Sequence, residues 1–166
     1  KGVGPADLPI YTADGMQSSS FATTVDPSDP SKVSGIKGTA PAGSPAGITS
    51  PFQDVFKATG VDPIFSAYYY DCTMLMALAA QKAGSDDGTK IKDAFASNLS
   101  GDVKCNTYKD CLAALKDGKT IHYQGASSTF DKWDVMQPGT GSYEVWSYGP
   151  DGKVVTEAAD KQILIS

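Results

Sequence analysis

Hydrophobic and polar positions follow two different periods along this chain, and the period changes near residue 120. From about residue 50 to that point apolar residues recur at helical spacing, and after it they alternate as they do in strands. The pattern predicts helices from Ser50-Pro51 to Gly60, over 64–83, over about 87–99, and from Thr107 to Asp117-Gly118. It predicts strands at 8–12, 33–40, 121–123, 127–130, 141–148, 154–155 and 163–165. Strands that alternate with helices predict an α/β protein with largely parallel pairing.

Two helix starts carry specific signals. Ser50 offers a capping hydroxyl directly before Pro51, which is a favoured residue at the first helical position. Thr107, with Asp110 three residues on, resembles a capping box. The segment 64–83 is apolar on nearly every side, so we expect that helix to be central, with Cys72 as a small residue of its core.

Three consecutive tyrosines, Tyr68, Tyr69 and Tyr70, stand at the start of that central helix. They cannot all face one core, so at least one should face solvent or a cleft. Two interpretations remain open, because the rings can simply pack with their hydroxyls in water, or they can form a wall that faces a ligand.

Composition and charge exclude several classes of protein. The chain has 166 residues, 40% of them hydrophobic, and a formal charge of -5. Its basic residues are scattered, which argues against nucleic acid as a partner, and its apolar runs are too short to span a bilayer. The single histidine, His122, has no nucleophile motif beside it, and no phosphate loop, dinucleotide fingerprint or zinc spacing is present. We therefore expect that the protein is not an enzyme and that it holds neither a cofactor nor a metal ion.

Cys105 and Cys111 are separated by five residues that can turn from an extended segment into a first helical turn. A disulfide between them is geometrically reasonable, and such bonds persist mainly in oxidising compartments. The alternative is a pair of reduced structural thiols.

An ordered series of short segments resembles the branched-chain amino acid (Leu/Ile/Val-type) substrate-binding proteins of ABC importers, which have the periplasmic binding protein-like type I fold. The segments are 65–72 (FSAYYYDC), 75–80, 82–85, 91–94, 123–131 (YQGASSTFD), 141–146 and 151–153. Residues 104–111 and 115–119 look like a cysteine-containing insertion of actinobacterial members. The resemblance covers about residues 8 to 158.

The resemblance implies a two-lobed α/β fold with parallel-sheet sandwiches, of which only the C-terminal part is present here. Residues 1–48 would belong to the C-terminal lobe, 49–137 to the N-terminal lobe, and 138–166 would return to the C-terminal lobe. The Pro/Gly/Ser-rich stretch 41–51 would be a crossing between them.

Three ligand-binding residues carry over by their positions in the motifs. Asp14 matches the loop where family members place an acidic residue against the ligand's ammonium group, although Asp14-Gly15 is also a signal for an Asx turn. Phe65, and with it Tyr68, matches the aromatic contact on the other lobe. The groups that clamp the ligand's carboxylate in this family belong to a segment that is not in this sequence.

The function that the resemblance implies is an extracytoplasmic solute-binding subunit, periplasmic or a cell-surface lipoprotein. Its partners would be an amino acid-like small molecule, the membrane permease of an ABC importer, and the N-terminal segment of the same protein. A sensory or regulatory ligand-binding domain of the same fold is the alternative, and a hydrolase of unfamiliar type is a third hypothesis. Fold alone does not decide between them.

Overall fold

The computed structural model describes residues 3–60, 64–134 and 137–165, and over these residues the protein belongs to the mixed α/β class. The helices are α1 Phe21–Val25, α2 Pro51–Lys57, α3 Ser66–Ala83, α4 Gly88–Phe95 and α5 Tyr108–Lys116, with 3-10 turns at Asp14–Met16, Pro30–Val33, Ala96–Asn98 and Ala159–Lys161. The strands are β1 Tyr11–Thr12, β2 Lys37–Pro41, β3 Val103–Cys105, β4 Ile121–Tyr123, β5 Trp133–Asp134, β6 Gln137–Pro138, β7 Gly141–Tyr148, β8 Val154–Thr156 and β9 Ile163–Ile165.

The chain divides into two compact units. Unit 1 consists of Lys1–Ala42 and Ser142–Leu164, and unit 2 consists of Gly43–Gly141 with Ile165–Ser166. Unit 1 is therefore discontinuous in sequence, since the chain leaves it after Ala42 and returns to it at Ser142. These changes of unit lie a few residues from the boundaries 48/49 and 137/138, and the assignment of the units to particular lobes stays a prediction.

A mixed sheet forms the centre of unit 1. Its strands follow the order β1-β2-β7-β8, and β9 also pairs with β7. Trp146 of β7 is fully buried, and it belongs to one cluster with Tyr148, Ala22 of α1, Val33 of a 3-10 turn, Ile36 and Ala40 of β2. Gly38 lies opposite Trp146 in the β2–β7 ladder, where a Cβ atom would come within 2.5 Å of the indole ring. The small residue at position 38 thus leaves room for the central tryptophan.

The expectation of largely parallel pairing was wrong for unit 1. β1 pairs with β2 in parallel, but β2 with β7 and β7 with β8 are antiparallel. β7 and β8 pair antiparallel because a tight turn joins them. In this turn the N–H of Gly149 donates to the carbonyl of Lys153 at 2.9 Å, and Gly152 takes a φ of 73°. A hairpin of this kind can join only antiparallel strands.

A β3–α5–β4 crossover with parallel strands lies at the centre of unit 2. Helices α3 and α4 pack together, and α5 packs against α3. The core of the unit combines side chains from all of these elements, with Leu78, Cys111, Ile121 and Tyr123 fully buried among them. This arrangement fixes the start of α3 and the loop that follows β4, where the candidate residues of unit 2 lie.

The predicted helix starts at Ser50 and Thr107 are confirmed, as is the end of α3 before Gly84, but α2 ends at Lys57 rather than Gly60 and α4 ends at Phe95 rather than near 99. The Ser50 hydroxyl accepts the N–H of Phe52 at 3.3 Å, and the Thr107 hydroxyl accepts the N–H of Asp110 at 3.1 Å. Thr107 also donates to the Asp110 carboxylate at 2.7 Å. α3 ends at Gly84, which takes the left-handed conformation that favours glycine after a helix.

The expectation of a central helix, drawn from apolar residues on nearly every side, was wrong for one face of α3. Tyr69, Cys72, Thr73 and Met76 are exposed, and their spacing places them along a single line on the helix surface. Cys72 is therefore not a core residue. The buried line of α3 instead includes Asp71, Met74, Leu75 and Leu78.

The predicted strand at 127–130 is a loop in the structure. The backbone N–H groups of Ala126 and Ser127 donate to the carboxylate of Asp71 rather than to a neighbouring strand. Phe130 takes a φ of 54°, a left-handed conformation that is incompatible with a strand. None of the helices that the structure describes has the length and apolar character needed to cross a bilayer.

Candidate functional site

Asp14, the candidate acidic contact, lies in unit 1. It begins the 3-10 turn Asp14–Met16 and is partly exposed. Its carboxylate accepts no hydrogen bond from any residue that the structure describes, so the Asx turn considered above does not form. Asp14 thus offers a carboxylate that is not engaged in holding the turn.

Gln17 follows Asp14 by three residues and is 9% exposed. Its Nε2 donates to Oε1 of Glu144 on β7 at 2.9 Å. Since a carboxylate only accepts hydrogen bonds, this contact fixes which end of the amide is nitrogen. The other end, Oε1, is buried and has no donor among the described residues. A buried acceptor without a donor is rare in folded proteins, which makes this amide notable.

Tyr148 holds the segment after Asp14 in place. Its hydroxyl donates to the carbonyl of Met16 at 2.6 Å and accepts the N–H of Ser18 at 3.2 Å. Its ring stacks on Phe21, with 5.6 Å between the ring centroids. The turn that carries Asp14 and Gln17 is therefore attached to the end of β7 by a buried, hydrogen-bonded tyrosine.

Phe65 and Tyr68, the candidate aromatic contacts, lie in unit 2 at the start of α3 and are both partly buried. Phe65 precedes the first residue of the helix and has a φ of 59°, a conformation that costs an L-residue about 1–2 kcal/mol. Such outliers cluster at functional sites, because they persist only where the surroundings impose them. Of the three tyrosines, Tyr69 is 71% exposed, as expected for at least one of them.

A cavity of about 560 Å³ lies within unit 2, beside Ser66, the residue after Phe65. Its apolar wall includes Phe52 and Phe56 of α2, whose ring centroids are 5.2 Å apart. Tyr70 stacks on Phe52 at 4.6 Å and joins this aromatic cluster. The volume is in the range of small-molecule sites.

Asp71 is the most constrained polar residue of unit 2, and sequence reasoning did not single it out. It is 2% exposed, and its carboxylate accepts four hydrogen bonds. The donors are the Tyr123 hydroxyl at 2.8 Å, the Ala126 N–H at 2.8 Å, the Ser127 N–H at 2.7 Å and the Ser127 hydroxyl at 2.5 Å. The nitrogen of Gln53 also donates to the carbonyl of Ala126 at 3.2 Å, so α2 and α3 both hold this loop.

Burial raises the pKa of the Asp71 carboxyl, while the donors of Ser127, Ala126 and Tyr123 act in the opposite direction. Burial also raises the pKa of the Tyr123 phenol far above its ordinary value, and the adjacent Asp71 carboxylate raises it further. All four groups around Asp71 are donors, which is the arrangement that an ionised carboxylate needs. The cluster therefore attaches the loop after β4 to helix α3.

His122 takes part in a second polar group of unit 2. Its Nε2 lies 3.1 Å from the carbonyl oxygen of Thr129, to which it donates, and 3.5 Å from Oδ1 of Asp131. The pKa of Asp131 is lowered, chiefly by the hydrogen bond from the Thr129 hydroxyl, with Lys104 and His122 contributing. No serine or cysteine side chain accepts or donates a hydrogen bond at the His122 ring among the described residues, so the ring connects β4 to the loop after it.

Cys105 and Cys111 form a disulfide that joins the end of β3 to the first turn of α5. Both are buried, with 8% and 0% exposure. The Asn98-Leu99-Ser100 triplet has the form of a glycosylation acceptor, but the Asn98 side chain is fully buried. The described part of the chain contains no group of three or more His, Cys, Asp or Glu side chains placed to hold a metal ion.

The chain was compared with protein-family models, with curated proteins and with solved structures, and none of the three comparisons gave a match. Asp14 belongs to unit 1, whereas Phe65 and Tyr68 belong to unit 2. The structure adds Gln17, three residues after Asp14, and its hydrogen-bond partner Glu144. The sequence offers only one local signal for Gln17, its place as a polar residue at the end of a turn. Its partner Glu144 on β7 is 127 positions away, so the contact between them could not be predicted from a short segment.

Proposed function

We propose that this chain is the C-terminal part of an extracytoplasmic solute-binding subunit of an ABC importer, with the periplasmic binding protein-like type I fold. It captures an amino acid or a similar small polar ligand for a membrane permease. Asp14 receives the ligand's ammonium group, and Phe65 and Tyr68 supply aromatic contacts.

The observation that carries this proposal is the discontinuity of unit 1. A compact α/β unit that is built from two separate stretches of chain, with a second compact unit inserted between them, is the organisation that the resemblance implies. Binding proteins of this architecture work by hinge motion of such units.

Two further features support the proposal. The Asp14 carboxylate accepts no hydrogen bond from the described residues, so it can accept from a ligand without losing one. The disulfide between Cys105 and Cys111 agrees with an oxidising compartment outside the cytoplasm.

Calorimetric titration of the complete protein with the twenty amino acids tests the proposal. We expect saturable binding of at least one of them, weakened roughly tenfold or more by Asp14→Ala. Asp86→Ala removes an exposed carboxylate before α4 and serves as the matched control. If none of the amino acids binds, the proposed function is wrong, and if Asp14→Ala binds as tightly as the Asp86→Ala control, Asp14 is not in the site.

A further inference from the structure

Helix α2 gives the cavity of unit 2 an aromatic wall. Phe52 and Phe56 both line this cavity of about 560 Å³, and their ring centroids are 5.2 Å apart. Tyr70 of α3 stacks on Phe52 with 4.6 Å between the centroids. Two neighbouring rings therefore hold the Phe52 ring, so the wall is formed before any ligand arrives, as is usual for small-molecule sites.

Two groups of opposite charge line the same cavity. Asp54 and Lys57 are three positions apart on α2, so their side chains are neighbours on the helix surface. Both residues are exposed. Among the residues that the structure describes, neither the Asp54 carboxylate nor the Lys57 ammonium has an ion pair or a hydrogen bond. The cavity thus offers one carboxylate and one ammonium group that are both available to a ligand.

The other described residues that line the cavity are uncharged. The side-chain nitrogen of Gln53 already donates to the loop after β4, at 3.2 Å. The rest are small and leave room for a ligand, namely Gly43, Ser44, Gly60 and Ser66. The charge that a ligand meets in this cavity is therefore set by Asp54 and Lys57.

We propose that this cavity binds a small aromatic zwitterion, a molecule that carries an aromatic ring together with an ammonium and a carboxylate group. The ring packs on Phe52 and Phe56, the ammonium group pairs with Asp54, and the carboxylate pairs with Lys57. This site goes beyond the proposed function, because none of its residues is among the ligand contacts that the resemblance supplies.

An aromatic zwitterion fits this cavity better than simpler ligands do. A ligand with one charge would be attracted by one of the two charged groups and repelled by the other. An uncharged ligand would leave both groups without a partner. Stacked aromatic rings attract each other beyond the effect of burying their surface, so a ring gains more on this wall than an aliphatic chain does.

Four compounds separate the chemical requirements of the site. Phenylalanine has the ring and both charges, 2-phenylethylamine lacks the carboxylate, 3-phenylpropanoate lacks the ammonium group, and alanine lacks the ring. Nuclear magnetic resonance of the backbone amides of α2, recorded on the complete protein, reports on the site directly. We expect saturable shifts with phenylalanine, affinities roughly three- to tenfold lower for the two singly charged compounds, and no shift with alanine. No shift with phenylalanine, or equal shifts with alanine, would overturn the inference.

Variants test the two charged residues. Asp54→Asn and Lys57→Gln keep the approximate shape of each side chain but remove its charge, and each should weaken phenylalanine binding at α2 roughly three- to tenfold. Asp93→Asn and Lys92→Gln make the same changes at exposed positions of α4 and should stay within about twofold of the wild type. All four side chains are exposed, so we expect every variant to fold. Equal affinities in the α2 and α4 variants would show that the charges do not bind the ligand.

The outcomes distinguish this inference from the proposed function. If capture of an amino acid depends on Asp14 but no compound shifts the signals of α2, the inference is wrong and the proposed function stands. If phenylalanine shifts the signals of α2 while Asp14→Ala binds every amino acid as tightly as the wild type does, the inference stands and the proposed contact at Asp14 is wrong.

Discussion

The carboxylate of Asp71 and the hydroxyl of Tyr123 meet at 2.8 Å in the core of unit 2, although 52 positions separate them in sequence. Both residues are nearly or fully buried, with 2% and 0% exposure. Among the residues that the structure describes, the donors to this carboxylate are the neutral groups of Ser127, Ala126 and Tyr123. The stability of the loop after β4 should therefore respond to changes in either residue.

Asp71→Asn should destabilise unit 2 by about 2–4 kcal/mol, because its amide nitrogen cannot accept the hydrogen bonds that one carboxylate oxygen now receives. Urea unfolding measures the change. Asp86→Asn makes the same substitution at an exposed position and should change the free energy of unfolding by less than about 0.5 kcal/mol. Equal stability of the two variants would show that the Asp71 cluster does not stabilise the fold.

Alkaline pH should unfold the protein through Tyr123. The folded pKa of its phenol is raised above the unfolded value of about 10, so its contribution is fully present below pH 10 and is lost as the pH rises further. In Tyr123→Phe the fall in stability above pH 10 should be shallower by about 1.4 kcal/mol per pH unit. Urea unfolding at several alkaline pH values measures this slope. Tyr69→Phe removes an exposed phenol from the same unit as a control, and an equal slope in both variants would contradict the prediction.

Gly125→Ala should destabilise unit 2 by about 1–3 kcal/mol, because a Cβ at this position would collide with the Asp71 carboxylate and lie 2.6 Å from the Phe130 ring. Gly88→Ala is the matched control at the start of α4, where a Cβ has open space around it. That variant should be neutral or slightly stabilising. Thermal unfolding of the two variants, side by side, gives the comparison.

Replacing Cys105 and Cys111 together by alanine should reduce the free energy of unfolding by about 2 kcal/mol, the value for so short a loop in the chain-entropy model. Cys72→Ser leaves the disulfide intact and changes only an exposed thiol, so it serves as the control. Intact mass with and without reductant tells whether the two cysteines are joined in the isolated protein. A mass that reductant leaves unchanged would remove the basis of this prediction.

Phe65→Gly should be about 1 kcal/mol more stable than Phe65→Ala. Both remove the ring, but only glycine takes a φ of 59° without strain. At Tyr68, inside α3, we expect the reverse: Tyr68→Ala should be about 1 kcal/mol more stable than Tyr68→Gly, since alanine is the better helix former. Urea midpoints of the four variants test the reversal, and an unchanged order at the two positions would show that the backbone at Phe65 is not strained.

Local rules account for the features that were predicted from the sequence. The caps at Ser50 and Thr107 involve residues two or three positions apart, so the pattern that specifies them is contained in a short segment. The strand over 141–148 was likewise predicted with the bounds that the structure has. The proximity of Cys105 and Cys111 follows from the same kind of short-range geometry.

Long-range relations account for what was missed. Asp71 looks like an ordinary polar residue among three tyrosines and a cysteine, and its four donors come from residues more than fifty positions further along the chain. Cys72, its neighbour, was assigned to the core because residue type was used without knowing which side of α3 faces inward. Packing buries the polar residue Asp71 and leaves its neighbour Cys72 exposed, the reverse of what the two residue types suggest.

The discontinuity of unit 1 sets an order of events during synthesis. Strand β2 leaves the ribosome early, but its antiparallel partner β7 follows roughly a hundred residues later. Unit 2 can complete its own core within that interval, while unit 1 cannot close its sheet. A translational pause before Gly141 would leave one edge of β2 with unpaired backbone groups, which is the kind of surface that molecular chaperones protect from aggregation.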